Sequence, residues 1–386
     1  MFHRLVLCVF LVSVICSEDP APAALTRTEA DAAAKKLWQE YSAHFRQSHA
    51  VAFKDKKLIW RDVEMRFDFK TFGETPASGR SLFISLHGGG GTTKAINDGQ
   101  WRNQLRLYRP EEGIYVCPRA PTDAWNMWHQ PHIDPLFDEL IRCFVIFEGV
   151  NPNRVYLLGY SAGGDGLYQL APRMADRWAA AAMMAGHPGD ASPLGLRNLP
   201  FAIHVGEKDT AYDRNKLGAV WKEKLDELRK ADPEGYVHEV QIHPVKGHWM
   251  DRQDAVAVPW MSGFTRKPFP KRVVWRQDDV THPRFYWLAV PLDEARAGAQ
   301  VVASIANQTI EVQTTDVRKL FIRLNDQMLN IDEPIAIRAN GKVIFTGKVT
   351  RSHATLKKTL EERGDFISIY PAELMVDIPA AASPGR

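Results

Sequence analysis

Cysteine is scarce in this sequence: four in 386 residues, with Cys8 and Cys16 inside the first 17. That excludes a scaffold built on several disulfides and leaves Cys117 and Cys143 as the one pair that an exported chain could bridge. One falls at the end of an expected strand and the other on an expected helix, so two buried free thiols are the expectation. An excess of charge of one sign is also lacking. Lys and Arg total 49 against 46 Asp and Glu, a formal +3, which excludes a nucleic-acid binder working through bulk charge. The single long apolar run, residues 5–16, is too short to span a bilayer. Repeats are absent, and low complexity is confined to an Ala-rich start. With 45% hydrophobic and 25% charged residues the chain is neither disordered nor fibrous. Its length allows two or three domains with large cores, and 11 Trp and 24 Pro suggest aromatic-lined pockets and many ordered turns.

Residues 1–17 join a short basic start (His3, Arg4) to the apolar run, which ends at polar Ser17, Glu18 and Asp19. This is the layout of a cleaved export signal. It implies a secreted or periplasmic protein with no integral membrane segment once the signal is gone. A lipid anchor at Cys16 is disfavoured by Ile15, where a small residue is expected.

Beyond the signal, residues 28–48 read as an amphipathic helix with Leu37, Trp38, Tyr41 and Phe45 on one face. Residues 64–72 alternate, with Met65, Phe67 and Phe69 facing one way, as in a half-buried strand near a sheet edge. Apolar runs at 82–86, 114–117, 155–158, 180–184, 201–205 and 237–242 read as strands covered on both faces. Helices are expected at 134–148, 166–175, 216–230 and 251–264. Such alternation gives an α/β fold, a doubly wound and mostly parallel sheet. The Pro- and Lys/Arg-rich stretch 267–272 marks a boundary. It separates a first unit, 18–265, from a smaller C-terminal β-rich, sandwich-like domain, 272–386. The latter holds a hairpin at Asn340-Gly341, one helix at 353–363 and a resumed strand at 366–370.

Four places in the first unit concentrate chemistry. Gly159-Tyr160-Ser161-Ala162-Gly163 follows a strand and opens a helix. In that context a G-x-S-x-G turn lifts a serine hydroxyl above the sheet as a nucleophile, at a helix N-terminus that favours negative charge. His87-Gly88-Gly89-Gly90-Gly91 follows another strand, and its backbone N–H groups suit an oxyanion hole: Gly88 or Gly89 with Ala162. Asp209 lies just past a strand end, with Glu207 and Asp213 as alternatives. His248, in Gly247-His248-Trp249, follows the last strand of the unit, where Gly247 is expected to let the loop bend toward the serine. His187 is the alternative base, while His204 and His243 fall within strands as packed residues. Trp125, Trp128 and His129 on one loop suit a pocket rim, and His87 and Tyr160 flank the same pocket. The pattern His129-x-x-His132-x-Asp134 lacks the helical H-E-x-x-H or cysteine ligands of a metal centre. Asp165 falls in the first turn of the helix after the serine, where the helix dipole accounts for it.

The joint pattern, with Ser161, Asp209 and His248 in that chain order, resembles the α/β-hydrolase superfamily over residues 64–264. It is most similar to the secreted esterase branch of polyhydroxybutyrate depolymerases and feruloyl esterases. The resemblance implies an exported serine hydrolase acting on a small-molecule or polymeric ester through an acyl-enzyme, without a cofactor and without a nucleic-acid partner. It assigns Ser161 as nucleophile, Asp209 as acid, His248 as base, and the 87–91 loop as the oxyanion hole. A serine peptidase of prolyl-oligopeptidase type shares such a triad, but no β-propeller precedes it here. A non-catalytic binding protein on the same scaffold is the rival from another class, distinguished by loss of a triad member. The β-rich domain is outside the family pattern. A chain ending near Phe264 keeps all three residues and is therefore expected to stay active on its own.

Overall fold

The computed structural model describes residues 24–379. The signal reading at residues 1–17 lies outside them. The chain enters through helix α1 (Arg27–Lys54), started by a capping box in which Thr26 Oγ1 accepts from the Glu29 N–H and the Glu29 carboxylate accepts from the Thr26 N–H. Eight strands follow: β1 (Lys57–Trp60), β2 (Val63–Phe72), β3 (Arg80–Leu86), β4 (Gly113–Pro118), β5 (Val150–Tyr160), β6 (Ala180–Met184), β7 (Phe201–Gly206) and β8 (His238–His243). They form one sheet in the order β1-β2-β4-β3-β5-β6-β7-β8. The β1–β2 and β2–β4 pairs are antiparallel, and all pairs from β4 to β8 are parallel.

Period-two alternation sends each strand's residues to two cores. Ile84, Val116, Leu157, Met183 and Ile203 meet helices α3 (Ile133–Glu148), α4 (Ala162–Arg173) and α5 (Arg214–Ala231). Phe83, Tyr115, Leu158, Ala182 and Ala202 meet the other face, covered by α2 (Lys94–Gln104) and α6 (Ala257–Ser262). Burial on both sides is why these strands read as continuous apolar runs. The register aligns the strand ends: Leu86 sits opposite Gly159, Tyr160 opposite Met184, and Gly206 opposite His243. The segments after β3, β5, β7 and β8 therefore emerge at one edge.

Several expectations are corrected. The short strand β1 and the polar helix α2 were not read from the sequence. The expected helix at 251–264 is broken, because Asp251 and Arg252 adopt left-handed backbone (φ 52° and 62°), and only a 3-10 turn and the short α6 follow. Residues 366–368 form a 3-10 turn rather than a strand.

After residue 271 come β9 (Arg272–Arg276), β10 (Arg284–Phe285), β11 (Leu288–Ala289), β12 (Gln300–Ala306), β13 (Thr309–Thr315), β14 (Lys319–Leu324), β15 (Ile335–Ala339), β16 (Lys342–Gly347), helix α7 (His353–Arg363) and β17 (Ala372–Asp377). They build a four-stranded sheet, β10-β11-β14-β17, and a five-stranded one, β16-β15-β13-β12-β9. Asn340 and Gly341 both take positive φ (48° and 81°) at the β15–β16 hairpin, as a two-residue turn requires.

These sheets are not appended loosely. Helix α1 packs on α7 through Ala30, Leu37, Leu356 and Leu360, while its Phe53 stacks on Phe147 of α3 with ring centroids 4.7 Å apart. Below it runs a buried ionic seam. Asp176 accepts from Arg363 Nη1 at 2.5 Å and from the Tyr286 N–H at 3.1 Å. Asp138 accepts from Arg177 at 2.5 Å and Arg284 at 2.8 Å, and Asp365 from Arg266 at 2.6 Å. The N-terminal helix and the first unit are thus bound into the C-terminal sheets. Cys117 and Cys143 are buried free thiols. Among the described residues no helix is long and apolar enough to cross a membrane.

Candidate active site

Ser161 stands alone between β5 and α4 with φ 58° and ψ −123°, a strained conformation for a residue with a side chain. The residues two positions to either side must be glycine. A Cβ on Gly159 would come within 2.3 Å of Gly163 O, and one on Gly163 within 2.3 Å of Leu86 O. The close approach of turn, helix and β3 fixes the hydroxyl at the sheet edge.

His248, on the loop after β8, places Nε2 2.9 Å from Ser161 Oγ and Nδ1 2.8 Å from Asp209 Oδ2. With Nδ1–H donating to the carboxylate, Nε2 is free to accept from the serine hydroxyl. Asp209 is almost fully buried after β7, and Arg214 Nη1 lies 3.8 Å from its other oxygen. Tyr160 braces the His248 loop: its O–H donates to His248 O at 2.6 Å, and its oxygen accepts the Met250 N–H at 3.2 Å.

The glycine that shapes this corner is Gly206 rather than Gly247. A Cβ on Gly206 would lie 2.1 Å from Gly247 O, whereas one on Gly247 would meet nothing within 4 Å. The loops that carry Asp209 and His248 are locked together at Gly206. The alternatives are engaged elsewhere. Glu207 accepts the Val245 N–H, and exposed Asp213 pairs with Lys216. His187 Nδ1 accepts the Gly189 N–H, and the His187 backbone N–H donates to Asp165 Oδ1 at 2.6 Å. His204 and His243 are buried against each other, 3.1 Å apart.

The 87–91 loop lies over the serine, with the Cα hydrogen side of Gly88 facing it: a Cβ there would be 3.0 Å from Ser161 Cβ. Gly90 N–H donates to Asn97 Oδ1 and Gly91 N–H to Asp123 O, each at 2.9 Å. Among the described residues the N–H groups of Gly88, Gly89 and Ala162 have no protein acceptor. Donors of this kind beside a nucleophile can hold an oxyanion.

The expected pocket residues divide. Tyr160 lines the cavity next to Ser161. His87 does not: it is fully buried, its Nδ1–H donates to Gly88 O at 2.6 Å, and its Nε2 accepts the Ala120 N–H at 3.1 Å. Burial pushes its imidazole down to about 4, so it stays neutral and clamps the loop. Trp128 is also fully buried, donating from Nε1 to His87 O at 2.9 Å. Trp125 is 70% exposed with its backbone against Gly90 and Gly91, and His129 packs edge-on to it, pushed down to about 4 by burial. Neither faces the cavity. His129, His132 and Asp134 form no metal-binding group among the described residues; Asp134 is taken by Arg173 and His282.

The cavity beside Ser161 measures about 590 Å³. One wall comes from α2 and the residues after it: Gln100, Asn103, Gln104, Arg106 and Leu107. The other is His248, Trp249 and Arg252. Of these only His248 was named from the sequence as a site residue. Trp249 adjoins the base and was within reach of sequence reading. The α2 residues carry no local motif.

No family profile matches the sequence, and no curated protein is detectably similar to it. Several solved structures match part of the chain at low identity. A thermostable esterase is 16% identical with a TM-score of 0.41, over 54% of this chain and 62% of that one. A ferulic acid esterase is 15% identical with a TM-score of 0.37, over 54% and 95%. A fluorophosphonate-binding serine hydrolase of Staphylococcus aureus is 12% identical with a TM-score of 0.37, over 53% and 96%.

Proposed function

We propose that this chain is a serine hydrolase of the α/β-hydrolase superfamily that cleaves a carboxylic ester through an acyl-enzyme. The observation that carries the reading is the hydrogen-bonded line Ser161–His248–Asp209, with two N–H donors of the glycine loop and that of Ala162 unspent beside it. His248 Nε2 takes the Ser161 proton as Oγ attacks the ester carbonyl. Negative charge moves to the carbonyl oxygen, where Ala162 and Gly88 or Gly89 donate to it. Buried Asp209 holds the imidazolium. His248 then returns the proton to the departing alkoxide, and the alcohol leaves. Water repeats the sequence: His248 takes its proton, hydroxide attacks the acyl carbon, and Ser161 recovers its hydrogen as the carboxylic acid departs. An exported location accompanies this reading on the strength of residues 1–17 alone.

The test is pre-steady-state hydrolysis of 4-nitrophenyl acetate by the full chain. A burst of one 4-nitrophenolate per enzyme followed by slower turnover is expected, with kcat lowered roughly 10⁶-fold in Ser161→Ala. Equal turnover by Ser161→Ala overturns the proposal.

A further inference from the structure

The cavity beside Ser161 is polar in an unbalanced way. Its lining includes two guanidiniums, Arg106 and Arg252, and no Asp or Glu. Both are exposed, and among the described residues neither side chain has an ion pair or a hydrogen bond. The acids nearest Arg252 in sequence are engaged elsewhere. Asp251 pairs with Lys246 Nζ at 2.7 Å, and Asp254 is buried as the acceptor of the Tyr108 hydroxyl. That last bond has a second consequence. Tyr108 and Asp254 each lie two residues beyond one of the arginines, so a buried tie joins the two loops that carry them. The backbone is also committed: Arg252 holds left-handed φ at 62°, ahead of the 3-10 turn that Asp254 anchors.

Among the described residues the buried guanidiniums are matched. Arg119, Arg173, Arg177, Arg266 and Arg363 all face carboxylates. Two unmatched arginines, one on each wall of the cavity, create a positive field next to a reaction that itself develops an oxyanion. We infer that the preferred substrate is an anionic ester, whose acyl or alcohol part carries a carboxylate or similar oxyanion held by Arg106 and Arg252. Guanidinium forks match such groups in geometry as well as charge. This inference rests on the serine-hydrolase reading and specifies its substrate class.

Matched ester pairs test it. On the acyl side, mono-(4-nitrophenyl) glutarate is compared with 4-nitrophenyl pentanoate. On the alcohol side, 4-carboxyphenyl pentanoate is compared with its neutral 4-carbamoylphenyl counterpart. The charged member of at least one pair is expected to show kcat/KM about tenfold higher at low ionic strength, since two partly solvated pairs each add a modest factor. High salt should shrink that ratio. The double variant Arg106→Ala/Arg252→Ala should bring it close to unity, and Arg106→Lys/Arg252→Lys should retain part of it. Turnover of the neutral pentanoate, abolished by Ser161→Ala, with no preference in either pair overturns the charge inference alone. So does a preference that survives in the double Ala variant. No turnover of any of the four esters overturns the hydrolase reading with it.

Discussion

Between the large sheet and the C-terminal sheets, buried charge is matched; at the rim of the Ser161 cavity, polar groups are left open. In the seam, burial alone would raise the Asp138 carboxyl, but Arg177 and Arg284 hold it well below the usual carboxylate range. Burial likewise opposes ionisation of Asp365, yet Arg266, Arg363 and Arg177 pull it down to about 2. At the rim, two loop N–H groups and that of Ala162, together with two guanidiniums, have no partner among the described residues, and Ser161 sits in strained backbone. Matched charge in a closed place does structural work. Unmatched donors in an open one are what a substrate can complete.

Breaking the rim should abolish turnover without touching the seam. His248→Ala is expected to lower kcat roughly 10⁶-fold while leaving the urea midpoint unchanged, and His187→Ala to stay within a few-fold of wild type. Steady-state rates and urea melts on the same preparations check both halves. If His187→Ala removes turnover and His248→Ala keeps it, the geometry has been misread.

Breaking the seam should do the reverse. Asp176→Asn leaves Arg363 uncompensated in a buried place and is expected to cost about 3–5 kcal/mol in urea unfolding, with kcat of the folded fraction unchanged. A chain ending at Phe264 removes Arg363, Asp365, Arg284 and Tyr286 together. Against the expectation drawn from the sequence, it should fail to fold rather than remain active. A monomeric, cooperatively melting truncation would contradict the structural role given to the seam.

Acid separates the two regions. Burial lowers His87 to about 4 and His204 to about 3. The unfolded chain, with imidazoles near ~6.5, therefore binds more protons between about pH 6.5 and 4, and stability is lost as pH falls through that window. His87 alone accounts for roughly 3 kcal/mol. Asp365 adds stability that is present above ~4 and lost as pH falls toward about 2, so the seam weakens later. Urea midpoints measured from about pH 7 to about pH 3 should drop in the first window before the second. A midpoint constant down to about pH 4 would show that His87 does not stay neutral in the clamp.

The smallest effect concerns the two glycines of the acid–base corner. Gly247→Ala should change stability by less than about 0.5 kcal/mol, because open space receives the methyl group. Gly206→Ala should be clearly worse, since it drives into Gly247 O. Parallel melts decide it.

What was legible in the sequence was whatever local chemistry dictates. The strands β3 to β7 announce themselves because both faces are apolar, and Gly159-x-Ser161-x-Gly163 because close backbone approach admits no side chain. Chain order picked out Ser161, Asp209 and His248, which the fold brings into one hydrogen-bonded line. Legibility ended where contacts are long-range. His87 and Trp128 resemble pocket residues by position, yet the loop folds them inward as clamps. Helix α2 hides its role because its buried residues, Asn97 and Gln104, are polar. The loops of Arg106 and Arg252 are tied through Tyr108 and Asp254, 146 positions apart. The seam is invisible for the same reason, its arginines and aspartates being scattered through both halves.

The central claim is that Ser161 is an activated nucleophile. Intact-mass analysis of the full chain after exposure to an alkyl fluorophosphonate, with peptide mapping, addresses it without knowledge of the substrate. One phosphonyl adduct on Ser161, absent in Ser161→Ala and strongly slowed in His248→Ala, is the expected result. An unmodified chain, or an adduct on another residue with Ser161 untouched, would contradict it.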